Sequence, residues 1–144
     1  MKQAFILAAV FSVGCAATDA KKDVLHIKYS EYRADVNREN VKTLAPVFFS
    51  SNLLKGVDLG DSGTLNQLLF PNYMHTQASH FELVIATRGC LTVNGYDQEN
   101  MPMTFNIEYR QAGGSWLIEE VDVLLVDHES EFSLVARCPS EYAN

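Results

Sequence analysis

Strict alternation of apolar and polar side chains over residues 103 to 110, MTFNIEYR, is the strongest constraint that this sequence places on a fold. A period of two is typical of a β-strand that buries one face. The pair Gly113-Gly114 then predicts a turn into a second strand over residues 115 to 126, SWLIEEVDVLLV. The apolar face of the first strand carries Met103, Phe105, Ile107 and Tyr109, and its polar face carries Thr104, Asn106, Glu108 and Arg110.

Two further extended segments flank this pair. Residues 80 to 95, HFELVIATRGCLTVNG, end in Asn94-Gly95, and this dipeptide is a strong turn signal. Residues 131 to 138, EFSLVARC, have the composition of a final strand. We therefore expect a turn at Asn94-Gly95 and a last strand close to the second cysteine of this region.

Helical patterns occupy the first part of the chain. A second helix is predicted from residue 38 to 54, with Asn37 as its N-cap and Pro46 bending or splitting it. A short helix is predicted over residues 64 to 70. Helices followed by a meander of strands predict an α+β fold, with the helices packed on one face of an antiparallel sheet. The first helix is predicted from four apolar residues at helical spacing, although its opening is also compatible with a strand: Leu25, Tyr29, Tyr32 and Val36.

Length and charge limit the classes of function. A chain of 144 residues provides one domain with one core. Eighteen acidic residues against eleven Lys and Arg give a formal charge of −7. This balance disfavours nucleic acid, because binding phosphates requires clustered basic side chains. The acidity would attract a basic partner, but solubility alone is a sufficient explanation for it.

Residues 1 to 14 have the pattern of a secretory signal. Lys2 precedes the apolar run AFILAAVFSV, which is too short to span a membrane and has the length of a signal's apolar region. The alternative is a buried N-terminal helix. Small residues in GCAATDA follow at once and favour export.

The stretch SVGC, residues 12 to 15, resembles the lipobox of bacterial lipoproteins, with Ser12 standing where leucine is usual. This resemblance implies a lipid on Cys15; a tether over residues 15 to 23 would then lead into a single domain over residues 24 to 144. Ala16 after the cysteine then implies the periplasmic side of the outer membrane. The alternative is cleavage at residue 17 or 20, which would leave a soluble periplasmic or secreted domain.

The chain has three cysteines, and an odd number in an exported protein leaves one without a partner. If Cys15 carries lipid, Cys90 and Cys138 remain as a pair. A disulfide between them would contribute roughly 4 kcal/mol in the chain-entropy account. The alternative is two buried free thiols.

The segments YSEYRADVNREN and VFFSSNLL, followed by GGSWLIEEVDVLLV, resemble the nuclear transport factor 2-like superfamily, which includes ketosteroid isomerase. The resemblance covers about residues 24 to 127 and implies a curved sheet wrapped round helices, as a cone with a cavity. The strand predicted after Val126 would extend beyond the usual end. The superfamily contains isomerases, dehydratases, hydrolases and non-catalytic binding modules, so the resemblance selects no activity.

Apolar strand positions are expected to face the helices. In this arrangement Glu119 is the one carboxylate of an apolar inner row and a weak candidate for a general base. The interpretation that we favour is that Glu119 lies near the rim of the cavity, or that a bulge shifts the register of its strand. Tyr29, Tyr32 and Tyr109 are candidates, together with Glu119, to bind a ligand in the cavity; the alternative is that the three tyrosines are core aromatics. The expected inward residues of the two outer strands are Phe81, Leu83, Ile85 and Thr87, and Leu117, Glu119, Val121, Val123 and Leu125.

Charged residues are expected on the opposite face of the sheet. Mixed charges on neighbouring strands are typical of a solvated face, and they would also suit docking of a protein partner. Arg88, Glu108, Arg110 and Trp116 are the candidates for that partner surface, and the charge favours a monomer or a weak homodimer. The full expected set is His80, Glu82, Arg88, Glu108, Arg110, Glu120 and Asp122, with Trp116 and Ile118 as an apolar anchor.

No cofactor and no metal are expected from the sequence. His75, His80 and Glu82 are too few and too scattered for a zinc site, which needs three or four convergent ligands. Our leading hypothesis is a non-enzymatic accessory domain of the cell envelope that binds a protein or a small ligand. The alternatives are a small cavity enzyme, isomerase- or hydrolase-like, that uses Glu119 as base, and an immunity protein that neutralises a toxin in the periplasm.

Overall fold

The computed structural model describes residues 23 to 141 of the chain. The predicted signal, Cys15 and most of the predicted tether lie outside these residues. Within them helices come first and an antiparallel sheet follows, so the predicted α+β class is confirmed. The helices are α1 (Val24–Asp35), α2 (Val41–Phe48), α3 (Ser51–Leu54) and α4 (Ser62–Leu68). The strands are β1 (Thr76–Ile85), β2 (Arg88–Tyr96), β3 (Pro102–Ala112) and β4 (Ser115–Leu125), and short 3₁₀ turns cover Phe70–Tyr73, Glu129–Glu131 and Pro139–Glu141.

The predicted second helix is divided into two pieces. Asn37 caps the turn before α2, because its side-chain oxygen accepts hydrogen bonds from the N–H groups of Glu39 and Asn40. Pro46 lies inside α2, which ends two residues later. The chain then becomes extended, and the Ser50 hydroxyl accepts a bond from Leu53 N–H to start α3. The predicted splitting of this helix is therefore confirmed.

The four strands form one meander in the order β1-β2-β3-β4, and each neighbouring pair is antiparallel. The turn predicted between β3 and β4 is confirmed, since Gly113 and Gly114 have φ angles of 56° and 81°. We call the side of the sheet that meets the helices the inner face, and the other side the outer face. The alternation predicted for β3 places its apolar residues on the inner face.

The turn predicted at Asn94-Gly95 is wrong, because both residues lie inside β2. The chain reverses earlier, at Ala86-Thr87, where Ala86 has a φ of 52°. Gly95 serves close packing instead: a Cβ there would lie 2.2 Å from the Thr76 carbonyl oxygen. Asn94 is fully buried and hydrogen-bonded through its amide. Glycine is therefore required at position 95 by the lack of space for a side chain, and asparagine at position 94 makes a buried hydrogen bond.

The faces of β1 are opposite to our prediction. Residues that pair directly across antiparallel strands share a face. Glu82 pairs with Leu91, which is fully buried in the core, whereas Leu83 pairs with Cys90 on the other side. His80 and Glu82 therefore face the helices. Three of the residues predicted to face inward, Phe81, Leu83 and Ile85, lie on the outer face instead. The fourth, Thr87, lies in the turn after the strand.

A helix terminus explains why a carboxylate points inward. Glu82 accepts hydrogen bonds from the backbone N–H groups of Leu25, at 3.1 Å, and His26, at 3.0 Å. These N–H groups belong to the first turn of α1, where no intrahelical acceptor exists and negative charge is favoured. The N-cap residue Asp23 makes no capping bond with its side chain. Glu82 supplies that cap from the sheet.

A bulge in β4 confirms the alternative that we favoured for Glu119. Glu108 pairs with Glu120 and Tyr109 pairs with Ile118, so Glu119 is the extra residue. Before the bulge the faces are the reverse of our prediction, and Ile118 is buried in the core. Trp116 packs against the same core, and Leu117 takes the outer side. After the bulge the expected inward residues do face inward: Val121, Val123 and Leu125.

The last predicted strand is also wrong. Residues 127 to 141, which we call the C-terminal strap, form irregular chain and two 3₁₀ turns. The strap crosses the outer face along β2: Phe132 packs on Tyr96 at one end, and Cys138 is bonded to Cys90 at the other. This disulfide was predicted and is confirmed. Side chains of the sheet, rather than a neighbouring strand, provide its hydrogen-bond partners.

The core lies between the helices and the inner face. It is rich in aromatic rings, and some ring pairs meet edge to face, an arrangement that ring quadrupoles favour. Tyr32 and Phe49 have ring centroids 5.2 Å apart, and those of Phe70 and Phe105 are 5.3 Å apart. Burial of these rings holds the helices on the sheet and leaves the outer face to the strap.

Candidate functional site

The outer face of β2 and β3 carries a strip of polar side chains that is buried under the strap. Such groups are stable away from water only when they are hydrogen-bonded. Thr92 donates to Asn106 Oδ1 at 2.8 Å, and Thr104 donates to Asn94 Oδ1 at 2.8 Å. Asn106 Nδ2 has no hydrogen-bond partner among residues 23 to 141. This polar strip consists of Thr92, Asn94, Thr104, Asn106 and Glu108.

The strap binds the polar strip through its own backbone. Asn94 Nδ2 donates to the Ser133 carbonyl at 2.8 Å, and the N–H of Arg137 donates to Thr92 Oγ1 at 2.8 Å. The Cys90–Cys138 disulfide, with its Cα atoms 4.8 Å apart, lies beyond this contact. The strap is therefore a fixed part of the outer face.

Two of the predicted partner-surface residues, Arg88 and Glu108, contact the far end of the strap, and a third, Arg110, pairs with Glu108. Arg88 donates two hydrogen bonds to Glu108, at 2.9 and 3.0 Å, and Arg110 lies 3.0 Å from the same carboxylate. Ser140 of the strap accepts from Arg88 at 2.7 Å. The Glu108 side chain is only 5% exposed, and the hydrogen bonds from Arg88 are the main reason that its pKa lies below the ordinary value. The fourth predicted residue, Trp116, is on the inner side.

The strap divides the outer face into two grooves. On the β3–β4 side is a groove of about 450 Å³, which we call the strap groove. Its floor is formed by Thr104, Leu124 and Val126, and the strap forms its wall. A smaller groove of about 140 Å³ lies on the β1 side, beside Leu83 and Ile85.

Exposed apolar side chains stand at the strap groove. Leu134 and Val135 belong to its lining and are 78% and 56% exposed. Leu134 is the most exposed large apolar side chain among residues 23 to 141. A wider depression of about 750 Å³ lies beside β4 and α3, and both depressions have mixed linings: Ser51, Asn52 and Lys55 in this one, and Glu131, Ser133 and Arg137 in the strap groove. The strap groove is distinguished by the exposure of Leu134 and Val135 beside a concave surface, not by an apolar lining throughout.

The three candidate tyrosines are core residues. Tyr32 donates to the Leu68 carbonyl, whereas the buried hydroxyls of Tyr29 and Tyr109 have no partner in the described part of the chain. Burial raises the pKa of Tyr29 to about 12 and that of Tyr109 well above its ordinary value, so both stay protonated. A pocket of about 190 Å³ between the helices and the inner face is lined by other residues.

Glu119 lies at the margin of the sheet. Its Oε1 accepts a hydrogen bond from Asn52 Nδ2 of α3 at 2.5 Å. The bulge at this residue therefore joins α3 to the edge of β4, where the Ser50 N–H also donates to the Ile118 carbonyl. This hydrogen bond is typical of a residue with a structural role.

A histidine pair was missed by the sequence analysis. The rings of His26 and His80 stack with centroids 3.6 Å apart and an angle of 3° between their planes. Gln77 Nε2 lies 2.6 Å from His26 Nε2, and Asp23 Oδ1 lies 3.3 Å from His80 Nε2. Burial, and next the neighbouring His80, lower the pKa of His26. No local signal joins residues 26 and 80, because only the folding of α1 onto β1 brings them together.

Among residues 23 to 141, no group of three or more histidine, cysteine, aspartate or glutamate side chains is placed to hold a metal ion. None of the helices described is long and apolar enough to cross a membrane. Comparison of the chain with models of protein families, with curated proteins and with solved structures finds no match in any of the three.

Proposed function

We propose that this protein is a non-catalytic binding domain that takes a protein partner along the strap groove. The observation that carries the proposal is the exposure of Leu134 and Val135 at a groove of about 450 Å³ whose floor includes Leu124 and Val126. Apolar side chains at a concave surface are typical of the centre of a protein interface.

The exposure of the strap favours a protein over a small ligand. A small-molecule site encloses most of its ligand's surface. In the strap groove, by contrast, the most apolar side chains stand at the opening, where a partner's own side chains would cover them. An apolar anchor of the partner would rest on Leu124 and Val126 of the floor.

The placement of the candidate catalytic groups supports a non-catalytic role. Acid–base catalysis needs a titratable group within hydrogen-bond reach of a substrate. Glu119 is held by Asn52 at the sheet margin, and the hydroxyls of Tyr29 and Tyr109 are buried in the core. The proposal therefore requires no chemistry from these residues.

The cell envelope is the proposed location, with the lipid on Cys15 as its anchor. The support comes from the sequence: an apolar run that ends directly at a lipobox-like SVGC. The order of helices and strands also fits the nuclear transport factor 2-like superfamily, which we propose as the fold family, with the cone and its cavity as its implied form. In this arrangement the tether leads into α1, and the strap groove lies on the opposite side of the sheet from that helix.

Site-specific photocrosslinking in living cells tests the binding surface. A photoreactive amino acid at Leu134 should yield one crosslinked protein, whereas the same amino acid at Ile27, which is 52% exposed on α1, should not yield it. With that protein purified, Leu134→Asp should weaken binding by about tenfold or more and Ile27→Asp should leave it unchanged. A crosslink that forms equally at both positions, or binding unaffected by Leu134→Asp, would refute the proposed site.

The identity of the captured protein separates the possible roles. A resident envelope protein would support an accessory function, and a delivered toxin would support an immunity function. Mass spectrometry of the mature N-terminus tests the anchor. Lipid mass on Cys15, lost in Cys15→Ser with release of the protein from membranes, is the expected result. An unmodified chain that begins after residue 15 would exclude it.

A further inference from the structure

Strand β1 is a free edge of the sheet. It pairs with β2 on one side, and its other side has no backbone partner among residues 23 to 141. The opposite edge differs, because the segment after α2 bridges to β4 at Phe49 and Ile118. An unpaired edge exposes backbone N–H and C=O groups that bind another strand.

The second half of this edge lacks the usual protection. Proteins block free edges with lysine, proline, bulges, inward-pointing charges or short strands. A register shift between Gln77 and Ser79 disturbs the first part of β1 only. Residues 79 to 87 contain no lysine and no proline. The one inward-pointing carboxylate, that of Glu82, is already bound by two N–H groups of α1, so pairing at the edge would not leave it without a partner. The end of the strand instead exposes Leu83, Val84 and Ile85, at 48%, 40% and 65%.

From this edge we infer that two copies of the chain pair through β1, antiparallel and with Leu83 on the two-fold axis. In that register Leu83 faces its own copy, and Phe81 faces Ile85 of the second copy. All three side chains lie on the outer face. Pairing thus joins two apolar rows into one row that crosses the axis, and the two sheets become one sheet of eight strands.

Charge is compatible with this arrangement. Two chains that each carry a formal charge of −7 repel each other unless the contact avoids like charges. With Leu83 on the axis, Glu82 faces Val84 of the second copy and His80 faces Ala86. No charged residue of β1 therefore lies opposite the same residue of the second chain. The contact is short compared with standard interfaces, so we expect a weak dimer that dissociates on dilution.

Charge substitution at the axis tests the pairing. Sedimentation velocity would be measured from about 1 μM to 1 mM on the full chain with Cys15→Ser, which prevents both lipid attachment and linking through a free thiol. Leu83→Lys and Leu83→Glu each place like charges opposite one another, and either should raise the dissociation constant at least about tenfold. An equal mixture of the two variants should form a heterodimer. Leu125→Lys, at the 72% exposed position on β4, is the matched control and should dimerise as the parent chain does.

Each outcome bears on the inference. Self-association that is lost in both Leu83 variants and restored in their mixture supports the two-fold register. A parent chain that remains monomeric at 1 mM overturns it, as does a dimer that neither variant weakens. Loss in both variants without restoration in the mixture overturns the register. Because Leu83 is half exposed, the variants should fold, and a near-ultraviolet circular dichroism spectrum like that of the parent verifies this.

Discussion

Replacing Glu108 with glutamine should loosen the end of the strap without disturbing the sheet. The substitution keeps the shape of the side chain and one oxygen for Arg88, but it removes the negative charge that Arg88 and Arg110 share. Glutamine is also uncharged at every pH. The variant therefore isolates the electrostatic part of the contact between strap and sheet.

The size of the effect depends on how well the two arginines are hydrated. Breaking a fully buried ion pair costs about 3–5 kcal/mol, because the remaining charge has no compensation. The Arg88 and Arg110 side chains are 39% and 50% exposed, so water can solvate them after the change. What is lost is charge assistance of hydrogen bonds at 2.9 to 3.0 Å to a carboxylate that is 5% exposed. We expect a decrease of about 1–2 kcal/mol in the free energy of unfolding.

Urea denaturation at several pH values measures this difference. With a slope of about 1–2 kcal/mol per molar urea, the midpoint should fall by about 1 M at pH 7. The Glu108 pKa is lower in the folded protein than the ordinary 4.5 of an unfolded chain. Its contribution is therefore complete above pH 4.5 and is lost as the pH falls through the lower, folded pKa. Parent and variant should converge in that acid range.

Glu120→Gln is the matched control, since Glu120 pairs with Glu108 across β3 and β4 on the same face and is exposed. Its effect should stay within about 0.5 kcal/mol. The reasoning is refuted if Glu108→Gln behaves like this control at pH 7. It is also refuted if the difference between parent and Glu108→Gln persists unchanged at pH 2.

Two other substitutions test packing and the covalent link. Gly95→Ala should destabilise the protein by about 3 kcal/mol, because the added Cβ would lie 2.2 Å from a backbone oxygen. Gly56→Ala is the control and should change the thermal midpoint little, because no atom lies within 4 Å of the added Cβ. Equal thermal midpoints for the two variants would contradict the packing argument. Replacing Cys90 and Cys138 together with alanine should cost about 2–4 kcal/mol and should increase proteolysis within residues 127 to 141 first. Cleavage that begins elsewhere would show that the disulfide does not hold the strap.

Local patterns predicted those elements whose surroundings are simple. The alternation in β3 and the pair Gly113-Gly114 predicted a strand and a turn correctly, because the inner face of β3 is apolar from Met103 to Tyr109 and two positive φ angles form the turn. The alternation did not predict that the polar face of this stretch is buried as well. Cysteine counting predicted the disulfide. The pattern failed at Glu82, where a charge is buried because a helix N-terminus receives it. Such a contact joins residues far apart in the chain, so no local window contains it.

The strap illustrates the same limit for the candidate site. Residues 131 to 138 have strand-like composition, but the backbone of the strap meets side chains of the sheet: Asn94 and Thr92 take the places that a neighbouring strand would occupy. The charged residues predicted to bind a partner instead make contacts within the chain: Glu108 pairs with Arg88 and accepts a hydrogen bond from Ser140 of the strap. The grooves beside the strap could not be predicted, since they exist only once the strap is in place.

The position of the strap in the chain determines when the outer face is completed. The strap follows all four strands, so β2 and β3 are synthesised, and in an exported protein translocated, before anything can cover them. During that interval the uncovered surface is Thr92, Asn94, Thr104, Asn106 and Glu108. Water satisfies such groups, whereas an apolar surface exposed at the same stage would promote aggregation. Because the polar strip can be hydrated, the sheet can form before the strap is available to cover it.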